Sequence, residues 1–340
     1  MYIGFFNCCE IYNQNRMFTP GALPEYEDWI YPTIYLAQYL KERGHSVNTI
    51  DMDDIRNFDA IVFIDFPTLQ NKYFIQLISA GFSEIYMILI ESKVVRQDNW
   101  NIENHRYFKK IFTWNDTLID NKKYFKINYS HKIPKELNFN LSEKKKLCVM
   151  VNSNKFFSHP LELYTERIRA INWFEKNHPD DFDLYGFGWD KHNFSSRSFR
   201  KLNRFNFLCK LLRPRYKTYK GSVKSKKETI SKYKFAICYE NARDIPGYIT
   251  EKIFNCFFSG CVPIYLGAPN VTDYIPQETF IDKRNFKTYE EIYSYIKNMP
   301  DTEYIDYLNA IKNFVLSDRI YPFSAECFVE TLVREIIDNK

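Results

Sequence analysis

A chain of 340 residues, 45% hydrophobic and 26% charged, has the length for two domains or one large one. Its ordinary globular balance excludes a disordered or low-complexity repeat protein. A net charge of +5 is too modest to demand a polyanionic partner, so the placement of charge matters more than its sum. The start, Met1-Tyr2-Ile3-Gly4-Phe5-Phe6, lacks the pattern of a secretory signal, and no apolar run approaches the ~20 residues of a membrane span. The eight cysteines form no Cys-x-x-Cys pair. Cys238, Cys256 and Cys261 lie in apolar segments, and adjacent Cys8 and Cys9 read as structural rather than reactive thiols. A reduced, cytoplasmic compartment is expected.

In chain order, residues 2–6 read as a strand and 29–43 as a helix closed by Gly44. Strands are expected at 46–51, 60–65 and 85–90, with a helix near 73–80 between the last two. The polar, basic segment 134–146 reads as a linker. The same grammar then restarts: strand 147–151, helix 161–176, strand 183–186, strand 234–240, helix 250–259 and strand 262–267. Helical patterns at 289–298, 303–315 and 324–337 finish the chain. Apolar strands joined by helices imply parallel sheets covered on both faces. The fold class is therefore α/β, two Rossmann-like domains facing a cleft, divided as residues 1–145 and 146–340.

The most informative stretch is YKFAICYENARDIPGYITEKIFNCFFSGCVPIYLGAPN, residues 233–270. Its first strand ends in Glu240-Asn241, at the sheet edge where open α/β sheets bind ligands. After Pro246-Gly247, Thr250 is placed to cap a helix whose apolar face is Ile253, Phe254, Phe257 and Phe258. Glu251 and Lys252 fall in its first turn. Unpaired N–H groups and the positive dipole end suit a diphosphate there, and a lysine adds a full charge. Spacing alone is equally consistent with a solvated helix start.

This segment resembles the α-1,3/1,4-fucosyltransferases of glycosyltransferase family 10. The resemblance rests on Tyr233-Lys234-Phe235, Tyr239-Glu240-Asn241, Tyr248-Ile249-Thr250-Glu251-Lys252 and Gly260-Cys261-Val262-Pro263-Ile264-Tyr265-Leu266-Gly267, and continues through Tyr274-Ile275-Pro276 and Asn285-Phe286. It covers roughly residues 222–298. It implies a GT-B fold whose second domain holds GDP-fucose, with Lys252 on the diphosphate and Glu251 on the ribose hydroxyls. Asn241 and Tyr248 would line the nucleotide-sugar pocket, with Glu240 close to the sugar. The family's diphosphate arginine falls best on Arg167, with Arg169 as second choice. Its general base falls on Glu91, which closes the strand Ile85-Tyr86-Met87-Ile88-Leu89-Ile90, although Lys93 stands where the family often has proline. Such a carboxylate accepts the acceptor's proton in an inverting displacement.

No metal or other cofactor is expected. Asp51-Met52-Asp53 and Asp181-Phe182-Asp183 have a carboxylate-x-carboxylate form, but both sit at strand ends, and the six histidines show no ligand spacing. The expected partners are a GDP-sugar donor and an oligosaccharide or lipid-linked glycan acceptor. Residues 191–227 carry 13 Lys/Arg and no acidic residue. Phe199, Leu202, Phe205 and Leu208 would form an apolar stripe if this stretch were one helix, which suits an anionic membrane surface. A solvated insertion and a nucleic-acid binder are the other readings of that stretch; no nucleic-acid motif accompanies it, and no nucleic-acid partner is expected. The chain resembles bacterial family members that build surface polysaccharide from the cytoplasm, peripheral on the inner membrane face. A transferase for another GDP-sugar, or a non-enzymatic basic-surface binder, are the alternatives.

Overall fold

A computed structural model describes residues 1–139, 141–192, 199–212 and 215–339. The chain divides into two compact units. The first comprises Met1–Ile133, Pro246–Tyr248 and Arg319–Lys340; the second comprises Pro134–Ile245 and Ile249–Asp318. The units meet near 133/134, where the segment 134–146 read as a linker begins, rather than at 145/146. The chain's last residues also return to the first unit.

In the first unit β1 (Tyr2–Asn7), α1 (Glu27–Glu42), β2 (Ser46–Thr49), β3 (Ala60–Ile64), α2 (Lys72–Ser79), β4 (Ile85–Leu89), α3 (Ile102–His105), β5 (Lys110–Thr113) and β6 (Tyr124–Lys126) follow in sequence. The strands form one parallel sheet in the order β2-β1-β3-β4-β5-β6. Residues of β3 alternate between its two faces as a period of two requires. Ala60 and Val62 join a core with Leu36 and Leu40 of α1, while Ile61 and Phe63 join one with Phe74, Leu77 and Phe108. The expected strands match β1 to β4, and β5 and β6 extend the sheet beyond them.

The second unit contains β7 (Lys146–Val151), α4 (Tyr164–Asn177), β8 (Phe182–Tyr185), α5 (Asn206–Leu211), α6 (Lys226–Ile230), β9 (Tyr233–Tyr239), α7 (Glu251–Phe258), β10 (Val262–Leu266), β11 (Ile281–Asp282), α8 (Tyr289–Asn298) and α9 (Asp301–Val315). Its parallel sheet runs β11-β10-β9-β7-β8. Counted within each unit, both sheets share the strand order 2-1-3-4-5, so the order reverses beside β1 in one and beside β7 in the other.

Phe199, Leu202, Phe205 and Leu208 do not lie on one continuous helix. A 3₁₀ turn over Arg200–Arg204 ends at Phe205, and α5 starts afresh at Asn206. Residues 193–198 and 213–214 of that basic stretch lie outside the described residues. Cys8 and Cys9 are exposed, whereas Cys238, Cys256 and Cys261 are buried as small apolar groups. No helix among the described residues is long and apolar enough to cross a membrane.

The last helix, α10 (Ala325–Val333), belongs to the first unit. Phe328, Val329, Leu332 and Val333 enter the same core as Ile3, Phe5, Leu36 and Leu40. Just beyond it, Glu335 accepts from the Lys110 ammonium at 2.9 Å, and its carbonyl accepts a second bond at 2.8 Å. Glu335 is buried and Lys110 largely covered, and Arg334 Nε donates to the same carboxylate at 2.8 Å, so the acid does not stand uncompensated. Leu332→Ala should therefore destabilise the first unit by about 2–5 kcal/mol, the range for emptying a fully buried leucine site. An unchanged urea midpoint for that variant would mean the C-terminal helix is not part of this core.

Candidate functional site

Two clusters of polar side chains stand at the carboxyl ends of the sheets, one in each unit. In the second unit, β9 is followed directly by Glu240, whose side chain is wholly buried. A buried carboxylate needs donors, and Glu240 has three. The Thr250 backbone N–H donates at 2.8 Å, the Thr250 hydroxyl at 2.6 Å and the Lys252 ammonium at 3.2 Å. Gly267, after β10, makes room for this arrangement, because a Cβ there would lie 2.5 Å from Glu240 Cγ. Thr250 is the N-cap of α7, as its type predicts, but its hydroxyl makes no cap bond and turns to Glu240 instead. The acid therefore holds the cap residue itself, through its N–H and its hydroxyl.

Lys252 also donates to Thr250 Oγ1 at 2.9 Å and stands 3.6 Å from Glu251 Oε1. It is only 16% exposed, which argues against a merely solvated helix start. Burial opposes ionisation of Glu251, but Lys252, Lys226, its own backbone N–H and Thr250 outweigh that, lowering the carboxyl to about 2. The start of α7 thus presents an ordered cation and a firmly ionised carboxylate side by side.

Arg167 lies beside the neighbouring strand end. It is buried on α4, donates from Nη2 to the Tyr239 carbonyl at 2.7 Å and to Asn241 Oδ1 at 3.0 Å, and lies over the Tyr164 ring at 5.0 Å. Arg169 instead points outward and pairs with Glu166. Of the two arginines, Arg167 is the one that reaches the β9 edge. Six side chains named from sequence, Arg167, Glu240, Asn241, Glu251, Lys252 and the capping Thr250, therefore cluster at one strand end. Tyr248 belongs to the first unit. Its buried ring packs on Trp114, with centroids 4.6 Å apart, and near Tyr129 at 6.3 Å, all within the first unit. Gly247 permits this, being at φ +79° with its missing Cβ only 2.2 Å from the Trp114 carbonyl.

In the first unit Glu91 follows β4, two residues beyond its last ladder residue, and its side chain is half-buried. Sequence reasoning placed it at this strand end but missed its surroundings. Asp65, just past β3, is buried and left-handed at φ +62°. Burial pushes its carboxyl above the usual carboxylate range, against the backbone bonds it accepts from Ile90 and Glu91. Asp65 is visible in the sequence only as the last residue of a predicted strand, with nothing to mark it. Among the described residues, no group of three or more His, Cys, Asp or Glu is arranged to hold a metal ion.

Comparison with known proteins bears on these clusters. The model of the glycosyltransferase family 10 (fucosyltransferase) C-terminal region matches residues 141–322. The chain is 39% identical over 100 residues to the alpha-(1,3)-fucosyltransferase FucT of Helicobacter pylori, covering 29% of this chain and 19% of that protein. It is 37% identical over 93 residues to the mouse (Mus musculus) 4-galactosyl-N-acetylglucosaminide 3-alpha-L-fucosyltransferase 9, covering 26% of each. The chain thus aligns with about a fifth to a quarter of the length of these relatives. A crystal structure of an alpha1,3-fucosyltransferase with GDP aligns over 100% of this chain and 91% of its own, with a TM-score of 0.56 and 15% identity. That likeness shows the fold, which is GT-B-like with two parallel α/β sheets.

The Glu251 carboxyl gives this site a pH signature. Its folded value lies below the ordinary 4.5, so its ionisation adds stability that is complete above about pH 4.5. That contribution drains away as pH falls toward about 2. The melting temperature of Glu251→Gln should therefore fall below wild type at neutral pH, with the gap closing on acidification through this window. A gap that is constant across it would show that Glu251 gains nothing from its neighbours.

Proposed function

The chain belongs to glycosyltransferase family 10, and from that premise we propose that it transfers L-fucose from GDP-β-L-fucose to a carbohydrate hydroxyl, giving an α-1,3 or α-1,4 linkage. The observation that carries this reading is the buried array Glu240–Thr250–Lys252 at the start of α7, with Arg167 and Asn241 at the same strand end. An ammonium, a guanidinium and the N-terminal end of a helix converge where a departing diphosphate needs charge. Neutralisation by these groups asks for no metal ion. Glu251, held ionised, supplies acceptor oxygens for the ribose hydroxyls of the nucleotide. Glu240 has its oxygens committed to Thr250 and Lys252, so its role is to aim the lysine. Tyr248, which anchors its loop within the first unit, is kept in this proposal as a contact of the nucleotide sugar.

The reaction is a single inverting displacement. The acceptor oxygen attacks the anomeric carbon, the bond from that carbon to GDP breaks, and the Glu91 carboxylate takes the hydroxyl proton. General-base catalysis of this kind contributes ~10²–10⁴-fold. The name of the mouse relative gives a probe acceptor, 4-galactosyl-N-acetylglucosamine.

Part of the basic stretch supports a further part of this reading. Phe199, Phe205, Phe207, Leu211 and Leu212 are exposed, Phe207 at 80%, alongside exposed Lys201, Arg204 and Arg215. Apolar side chains flanked by cations suit an anionic lipid surface, which would bring the enzyme to lipid-linked acceptors.

Calorimetry and turnover test the transferase together. Lys252→Ala should weaken GDP binding by roughly 1–3 kcal/mol, the loss of a charge-assisted hydrogen bond. Glu91→Gln should leave GDP affinity unchanged and slow fucosyl transfer by ~10²–10⁴-fold. Retention of more than about a tenth of the activity would remove Glu91 from the mechanism. Turnover of GDP-mannose in preference to GDP-fucose would reassign the sugar but keep the nucleotide site. For the basic stretch, co-sedimentation should require anionic vesicles and fade with added salt. Equal pelleting with neutral vesicles, or none, refutes membrane docking.

A further inference from the structure

The residues that end β4 are held in an unusual way. Beyond Leu89 the backbone of Ile90 and Glu91 leaves the ladder, and all four of its polar groups are taken by side chains. Asp65 Oδ1 accepts from the Ile90 N–H at 2.8 Å and from the Glu91 N–H at 3.1 Å. The Ile90 carbonyl accepts from Trp114 Nε1 at 2.8 Å and from the Tyr129 hydroxyl at 2.7 Å. The Glu91 carbonyl accepts from Trp100 Nε1 at 3.0 Å and from Asn99 Nδ2 at 3.2 Å.

Asp65 is the centre of this network. Its Oδ1 also accepts from Asn99 Nδ2 at 2.7 Å, and Asn99 Oδ1 in turn accepts from the Phe66 N–H at 2.8 Å. Asn99 is fully buried, and its carbonyl is bonded to His105 Nε2 at 2.7 Å. Arg96 fixes the other side, donating to the Phe66 carbonyl at 2.6 Å. Asp65 carries two costs at one position, a desolvated carboxylate and a left-handed backbone. Neither is needed merely to end a strand, which water or a glycine turn achieves more cheaply. Both converge on the peptide that bears Glu91.

We infer that Asp65 is a positioning residue for the transfer reaction: through the Ile90 and Glu91 N–H groups it fixes the backbone from which the Glu91 carboxylate reaches the acceptor hydroxyl. Asn99 and Trp100 complete the hold from the carbonyl side. This inference rests on the reading of Glu91 as the base. A base is useful only within hydrogen-bond reach of its proton, and a displacement near 1 Å costs on the order of 10²-fold. A half-buried glutamate on a free loop would wander by that much, whereas six side-chain bonds to its own and the preceding peptide hold its Cα in place.

The test is a double-mutant cycle with GDP-fucose and 4-galactosyl-N-acetylglucosamine as probes. Asp65→Asn keeps the shape and one accepting oxygen but removes the charge that strengthens the three bonds. It should lower kcat about ten- to hundredfold, with KM for GDP-fucose and calorimetric GDP affinity unchanged. In a Glu91→Gln background the same substitution should cost nothing further, because Asp65 acts only through Glu91. Trp100→Phe keeps an aromatic ring there and removes one hydrogen bond to the Glu91 carbonyl. It supplies the same comparison in a milder form, a several-fold loss of kcat that vanishes beside Glu91→Gln, should Asp65→Asn fail to fold. Full kcat in folded Asp65→Asn and Trp100→Phe overturns the inference, and so does a loss that multiplies with that of Glu91→Gln. If Glu91→Gln alone keeps its activity, the assignment of the base has failed first, a result distinct from either.

Discussion

A carboxylate sealed from water must be surrounded by donors, and the site in the second unit is organised by how Glu240 meets that demand. Its oxygens take the Thr250 N–H, the Thr250 hydroxyl and the Lys252 ammonium. One buried charge thus fixes where α7 begins, which way its first lysine points, and why the cap residue does not cap. Removing the acid would leave the ammonium with less of its compensation and the helix start without its acceptor, a costly pair of losses in a desolvated place. The apolar face of α7, with Ile253, Phe254 and Phe257 buried, holds the rest of the helix against the sheet. The helix is therefore anchored along its length by apolar packing and aimed at its start by electrostatics.

The first unit uses the same device. In each unit the third strand ends in a buried acid, Asp65 after β3 and Glu240 after β9. Each accepts backbone N–H groups from a later segment, residues 90–91 in one case and Thr250 in the other. With the shared strand order, this places an acid-anchored segment next to the reversal point of each sheet. Parallel sheets leave their carboxyl ends without ladder partners there, so side chains supply the missing acceptors. The same shortage that makes these ends good ligand sites makes buried acids useful at them.

What differs is what each acid serves. Glu240 orders a cation and, through α7, a helix dipole, which are electrostatic assets for an anion. Asp65 orders a peptide that carries another carboxylate, which suits proton transfer. The cationic cluster lies within the matched family region, whereas Asp65 and Glu91 lie outside it. The exposed aromatics around α5 belong to neither cluster and stand apart from both cores.

Whatever depends on neighbours close in the chain can be read along it. The strand–loop–helix–strand run of residues 233–267 is continuous, so its periodicity, its cap position and its match to family 10 were all legible, as were most of the longer strands and helices. Tertiary structure decided the pairings between distant residues. Arg167, not Arg169, reaches the Tyr239 carbonyl 72 positions away, because only one of the two lies on the buried side of α4. Thr250 was readable as a cap, but not that its hydroxyl prefers Glu240, since a buried charge outbids a helix N–H. Tyr248 sits inside the most recognisable motif and yet packs on Trp114, and α10 returns to the first sheet through Leu332 and Glu335. Asp65 carries no local mark at all. Its function depends on Ile90, Glu91 and Asn99 arriving from elsewhere, and a linear pattern holds no information about that arrival.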